Sequence, residues 1–179
     1  MMTNENTLQY PIGRFEWKTQ LSAEERKRAL ETLASFPAKL EEFMQGFPAS
    51  LLSKRYRPEG WNVIQLIHHL ADSHLHSFMR CKHALLEDTP KIKDYQEKDW
   101  ANTTDASQAD IAISISLLKA LHQRWVIFFK SLTEEEFQRA YFHPERHKNY
   151  PLDTVLALYA WHGEHHLAHL KLVLENPYD

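Results

Sequence analysis

The chain predicts an all-helical fold, a four-helix bundle. Four stretches of roughly twenty residues carry apolar side chains at helical spacing, two of them open on reciprocal capping signatures, and strand-like alternation is scarce. At 179 residues and 43% hydrophobic content the chain can bury one sizeable core, and residues 1–179 read as a single domain.

Ser22 with Glu25 three residues on is a capping box, opening a helix that runs towards Gln45 and stops at Gly46. Pro37 lies inside it and predicts a kink or a restart near Ser35, because the ring removes one helical hydrogen bond. Residues 47–60, with Pro48 and Pro58, form a connection. Asn62 and Gln65 then cap a second long helix from Val63 to about Leu86. The polar segment from Glu87 to Ser107 is unusually long for a loop in a compact domain, which predicts a functional segment or a lid. It also permits a crossover topology. A third helix, from about Gln108 to Lys130, is apolar almost all round and is expected to be the most buried. Thr133 and Glu136 cap a short helix through Arg139, and Tyr141 to Pro151 reads as an irregular or hairpin-like excursion. The fourth long helix spans about Leu152 to Glu175 and ends before Pro177.

Composition narrows the function classes. A net charge of −3 with interspersed signs offers no basic stripe, so nucleic acid is not an expected partner. Cys81 is alone, which excludes an internal disulfide and fits a reducing cytosol. Met1 to Asn6 lacks the charged and apolar regions of a secretory signal, and no uninterrupted apolar run approaches the ~20 residues of a membrane span. A soluble, cytoplasmic protein without a membrane partner is the expectation.

Histidine carries the chemistry. Twelve residues placed at random would give roughly 0.8 pairs at spacing four, yet three occur: His143/His147, His162/His166 and His165/His169. The first flanks Pro144 and belongs to a turn. In the fourth helix, His162 and His166 fall within the apolar stripe, whereas His165 and His169 fall at its edge. Histidines four apart share a helical face and can converge on one metal ion; the alternative is a pair of core histidines satisfied by polar partners. Glu164 lies on the opposite face, which excludes the H-E-x-x-H protease arrangement and leaves it to pair with a neighbouring helix or be solvated. For a third ligand the second helix offers His68, His69, His74 and His76. Its apolar face centres on His74, so periodicity alone nominates His74 as the buried histidine and leaves His69 on a polar stripe with Asp72, Ser73, His76 and Arg80.

The run Gly60-Trp61-Asn62-Val63-Ile64-Gln65-Leu66-Ile67-His68-His69-Leu70-Ala71-Asp72-Ser73 resembles the signature of the DinB/YfiT superfamily. Tyr10 to Phe15, Tyr56 to Trp61, His143-Pro144-Glu145 and Tyr159 to His169 extend the likeness to the YfiT subgroup over nearly the whole chain. The resemblance implies a bundle with a long crossover connection, a homodimer, and one divalent ion, zinc or nickel, held by His69, His162 and His166. It also implies a metal-dependent hydrolase that activates a water against a small-molecule substrate, or a low-molecular-weight thiol S-transferase of the bacillithiol type. A metal-binding protein without catalysis is the third possibility. One departure is Arg146-His147, where the family pattern has a glycine; histidine tolerates the positive φ such a turn needs. No catalytic residue is assigned. Asp72, one turn after His69, either orients that imidazole or stays solvated. If the metal needs a shield, the Glu87 to Ser107 segment is the candidate, pinned by Tyr95 and Trp100. His122 reads as a satisfied core histidine and Arg80 as an ordinary solvated arginine.

Overall fold

The computed structural model describes residues 5–179, so the reading of the extreme N-terminus as free of a signal falls largely on residues 1–4, outside the described residues. The chain forms α1 (Glu5–Gln9), α2 (Ala23–Gln45), α3 (Val63–Leu86), α4 (Glu97–Trp100), α5 (Thr104–Gln108), α6 (Ile111–Lys130), a hairpin of β1 (Ala140–His143) and β2 (Lys148–Pro151), and α7 (Leu152–Glu175). Helices α2, α3, α6 and α7 make the four-helix bundle.

Both capping boxes close as expected. Ser22 Oγ accepts from the Glu25 amide while the Glu25 carboxylate accepts from the Ser22 amide, and Asn62 and Gln65 do the same at α3. Of the kink or restart expected near Ser35, the restart does not occur, and α2 continues through Pro37. The carbonyl four residues back, on Leu33, has lost its helical donor to the proline and accepts instead from His122 Nδ1 at 2.7 Å. The third long helix begins later than expected. The Asp110 side chain caps it through the Ala112 amide, and the Ala109 carbonyl is taken by His68. His147 adopts φ +49° in the hairpin turn, as its tolerance of that region allows.

Contacts along the helices give their directions. His68 meets Ser114 near the starts of α3 and α6, and His74 meets His122 further along both, so these two helices run parallel. Arg26 to Asp153 and Lys39 to Glu164 make α2 and α7 parallel as well. Ser73 with Tyr159 and His69 beside His166 set α3 and α7 antiparallel, as Leu33 with His122 and Glu41 with Lys119 do for α2 and α6. A parallel α3–α6 pair requires the chain to return along the whole of α3, 24 residues or about 36 Å. The length of the Glu87 to Ser107 segment is thus the length of the crossover that the sequence permits.

This crossover packs on α3. Tyr95 stacks on His76 with centroids 4.2 Å apart, Trp100 meets the same ring at 4.9 Å, and Arg80 donates to the Lys93 carbonyl at 3.0 Å. Arg80 is therefore buried, not solvated. α6 is not the most buried helix either. It is the one helix among the described residues long and apolar enough to suit a membrane span, but Leu118, Trp125 and Phe129 point into the core while Ile113 and Ile127 face out. Flanked chiefly by α2 and α3, it keeps a bare side that carries Ile113 and Ile127.

The apolar core divides in two. One cluster gathers Leu33, Phe78, Trp125, Phe129, Tyr141 and Leu156; the other gathers Leu40, Leu66, Leu70, Leu118, Leu167 and Leu170. On α3 and α7 the residues between these groups include His74, His162 and His166, so a layer of imidazoles crosses the bundle at mid-height.

Candidate metal centre

Two adjacent helices build the centre. His162 and His166, one turn apart on α7, face His69 on antiparallel α3, with ring centroids 5.5 and 5.1 Å from it. Their potential ligand nitrogens all lie within 4.8 Å of one another, and the Nε2 atoms of His162 and His166 are 3.2 Å apart. Two nitrogens each about 2.1 Å from one ion, at angles of about 90 to 110°, stand about 3.0–3.4 Å apart, so the α7 pair already has the spacing of ligands. Neither ring nitrogen of His69 hydrogen-bonds to a described residue, although the side chain is only 4% exposed and its ring rests on Trp61 at 4.4 Å. An imidazole with no partner among the described residues is free to take an ion as one.

Electrostatics favour a cation over protons. Burial, then the charge His165 would carry, hold His69 down to about 3. Burial first, then neighbouring imidazoles, keep His162 and His166 well below the ordinary histidine value. All three rings are neutral at pH 7, and a neutral ring keeps the lone pair that ligation requires.

Local sequence explains the placement. The Asn62 cap starts α3 immediately after Trp61, which sets the indole against His69 one helical face along. Gly163 admits Phe36 of α2, since a Cβ there would meet the Phe36 ring at 2.7 Å. That ring in turn lies 5.8 Å from His74 and 5.7 Å from His122.

The remaining candidates fall elsewhere. His74 is buried, as periodicity indicated, but both faces of α3 are covered, so burial does not select the ligand. His122 is a satisfied core histidine. His68 ties α3 to the start of α6 through Ser114 and Ala109. His165 and His169 are buried, not at an open edge, because the N-terminal segment and neighbouring aromatics cover them: Trp161 and Tyr10 on His165, Tyr56 at 3.9 Å on His169. With His166 they form a second close group of nitrogens. Glu164 pairs with Lys39 of α2. Asp72 makes no hydrogen bond to His69 among the described residues; burial and the nearby Asp105 push its carboxyl upward. Burial pushes the Cys81 thiol up to about 12, which removes it as a nucleophile. Beside Trp61 a cavity of about 430 Å³ is lined by Arg55, Arg57, Gln65, Glu97, Lys98 and Asn102. Gln65 joins this wall to the crossover by donating to the Ala101 carbonyl at 2.9 Å. Trp61 covers His69 directly, and the crossover contributes to the neighbouring wall.

Residues 32–170 match the family model of the DinB superfamily. Over 169 residues the chain is 40% identical to a Bacillus subtilis protein, covering 94% of both, and over 165 residues it is 39% identical to one from Halalkalibacterium halodurans, covering 92% of this chain and 95% of the other. These relatives bear the names "Putative metal-dependent hydrolase YfiT" and "Putative metal-dependent hydrolase BH0277". The solved structure of YfiT from Bacillus subtilis, described as an unusual four-helix bundle topology, superposes with a TM-score of 0.92 at 38% identity, covering 94% of this chain and 97% of that one.

Proposed function

This chain belongs to the DinB superfamily, and on that premise we propose that it is a metal-dependent hydrolase whose ion, zinc or nickel, is held by His69, His162 and His166. The observation that carries the reading is the convergence of three buried, neutral imidazoles in which His69 has no other partner. When bound, an ion held by three neutral ligands keeps its double charge and an open position, and lowers the pKa of a water there towards 7. The chain's own contribution is positional. His162 and His166 present two nitrogens from consecutive turns of one rigid helix, and His69 closes the triangle from a second. Trp61 shields one face of His69 and also borders a cavity of small-molecule volume, which none of the three histidines lines. The names of the relatives support hydrolysis over thiol transfer.

The test is an assay of zinc- or nickel-loaded protein against ester and amide panels, run beside a panel of thiols with an electrophile. Hydrolysis that chelation abolishes and metal restores is the expected result. Turnover only with a thiol would replace the reading by thiol transfer, and hydrolysis unaffected by verified metal loss would overturn it.

A further inference from the structure

Two chains of hydrogen bonds end on the nitrogens that face each other in the metal centre. The first begins at Leu33, whose carbonyl oxygen lacks a helical donor because residue 37 is proline. A carbonyl only accepts, so the proton in its 2.7 Å contact with His122 sits on His122 Nδ1. A neutral imidazole carries one N–H, which leaves His122 Nε2 as an acceptor. His74 Nδ1, 2.8 Å away, donates to it, and His74 Nε2 becomes the next acceptor. His162 Nδ1 lies 3.1 Å from that atom and donates in turn. The lone pair of His162 is thereby placed on Nε2.

The second chain begins at the Gln9 carbonyl, to which His169 Nε2 donates at 3.2 Å. His169 Nδ1 is then an acceptor, and His166 Nδ1, 3.2 Å away, donates to it. His166 likewise keeps its lone pair on Nε2. The two Nε2 atoms stand 3.2 Å apart with no proton available between them, an arrangement that a shared cation turns from repulsion into ligation.

We infer that His74, His122 and His169 are positioning residues which, anchored on two backbone carbonyls, hold His162 and His166 in the Nδ1–H tautomer and so direct both Nε2 atoms at one ion. The inference rests on the metal reading above. It also removes the second histidine group as a metal site, because both nitrogens of His169 and Nδ1 of His166 are already engaged. The arrangement resembles the general pattern in which a ligand imidazole gives its other N–H to an acceptor that orients it, except that the acceptors here are further imidazoles.

Tautomers are read directly from long-range 1H–15N correlation spectra of the metal-free protein with 15N-labelled histidine, at a pH where the rings are neutral. The expected pattern is Nδ1–H for His74, His122, His162 and His166 and Nε2–H for His169. Free histidine in water favours Nε2–H, so the pattern discriminates. Zinc affinity by chelator competition supplies the second reading. H122F removes the carbonyl anchor and should weaken zinc binding about 10- to 100-fold. H122Q should recover most of that loss, since a carboxamide donates to Leu33 and accepts from His74. An Nε2–H proton on His162 or His166 in the wild-type protein would overturn the inference. So would a folded H122F that binds zinc within about threefold of wild type, or an H122Q as weak as H122F. The wild-type spectrum needs no variant and decides even where H122F does not fold. Wild-type protein with the expected tautomers but no zinc uptake leaves the hydrogen-bond assignment standing and refutes the metal reading.

Discussion

His69 carries the weight of the site because its surroundings supply packing and no hydrogen bond among the described residues, whereas His74, His122, His162 and His166 each have a ring nitrogen engaged. Its replacement should therefore remove metal without removing a structural bond. His69→Ala is expected to retain less than about a tenth of the wild-type affinity, in line with the loss of one of three ligands. Equilibrium dialysis checks this, and unchanged metal content would exclude His69 from the shell. Asp153 illustrates a residue with the opposite role. Fully buried at the start of α7, it accepts from Arg26, from the Leu21 amide and from Gln138. Asp153→Ala leaves the buried Arg26 guanidinium with only the exposed Glu134 and should cost roughly 3–5 kcal/mol in urea unfolding.

At the scale of elements, the helices were legible from caps and periodicity, and α3 and α7 fall where the sequence places them. Two features were not. Proline in α2 predicts a break only while the orphaned carbonyl has no donor, and the donor, His122, is 89 residues away. The apolarity of α6 measures what could be buried, but the number of neighbouring helices decides what is. The crossover was legible from the length of residues 87–107, and the parallel direction of α3 and α6 uses it. Gly163 gives a test in which sign matters. Alanine is the better helix former by about 1 kcal/mol, so propensity alone predicts stabilisation. The 2.7 Å approach to the Phe36 ring reverses that sign, and Gly163→Ala should destabilise by roughly 1–2 kcal/mol in thermal or urea unfolding. A more stable variant would show that Phe36 moves freely and does not brace the histidine layer.

For the whole molecule, the layer of imidazoles couples stability to pH. His69 and His169 are held down to about 3 and His122 and His165 to about 4, each chiefly by burial, with His74, His162 and His166 well below their ordinary value for the same first reason. The unfolded chain takes up protons near pH 6.5 and the folded one does not, so stability is full above that range and falls as pH drops through it, by up to about 1.4 kcal/mol per unit for each histidine. The Tm of metal-free protein should be level from pH 8 to about 7 and fall steeply towards pH 5. A flat profile would mean that the rings are not buried as neutral species. The sequence nominated the α7 pair from phase and spacing, but His69 over His74 came from resemblance, because periodicity reports burial and both residues are buried. The imidazole chains were out of reach, since all of their links but His166–His169 join residues distant in sequence. X-ray absorption at the metal edge of zinc- or nickel-loaded protein tests the central claim most directly: one ion per chain should show three imidazole nitrogens at about 2.0–2.1 Å, a shell that His69→Ala and His162→Ala each disrupt. A shell dominated by sulfur or carboxylate, or one identical in those variants, would contradict it.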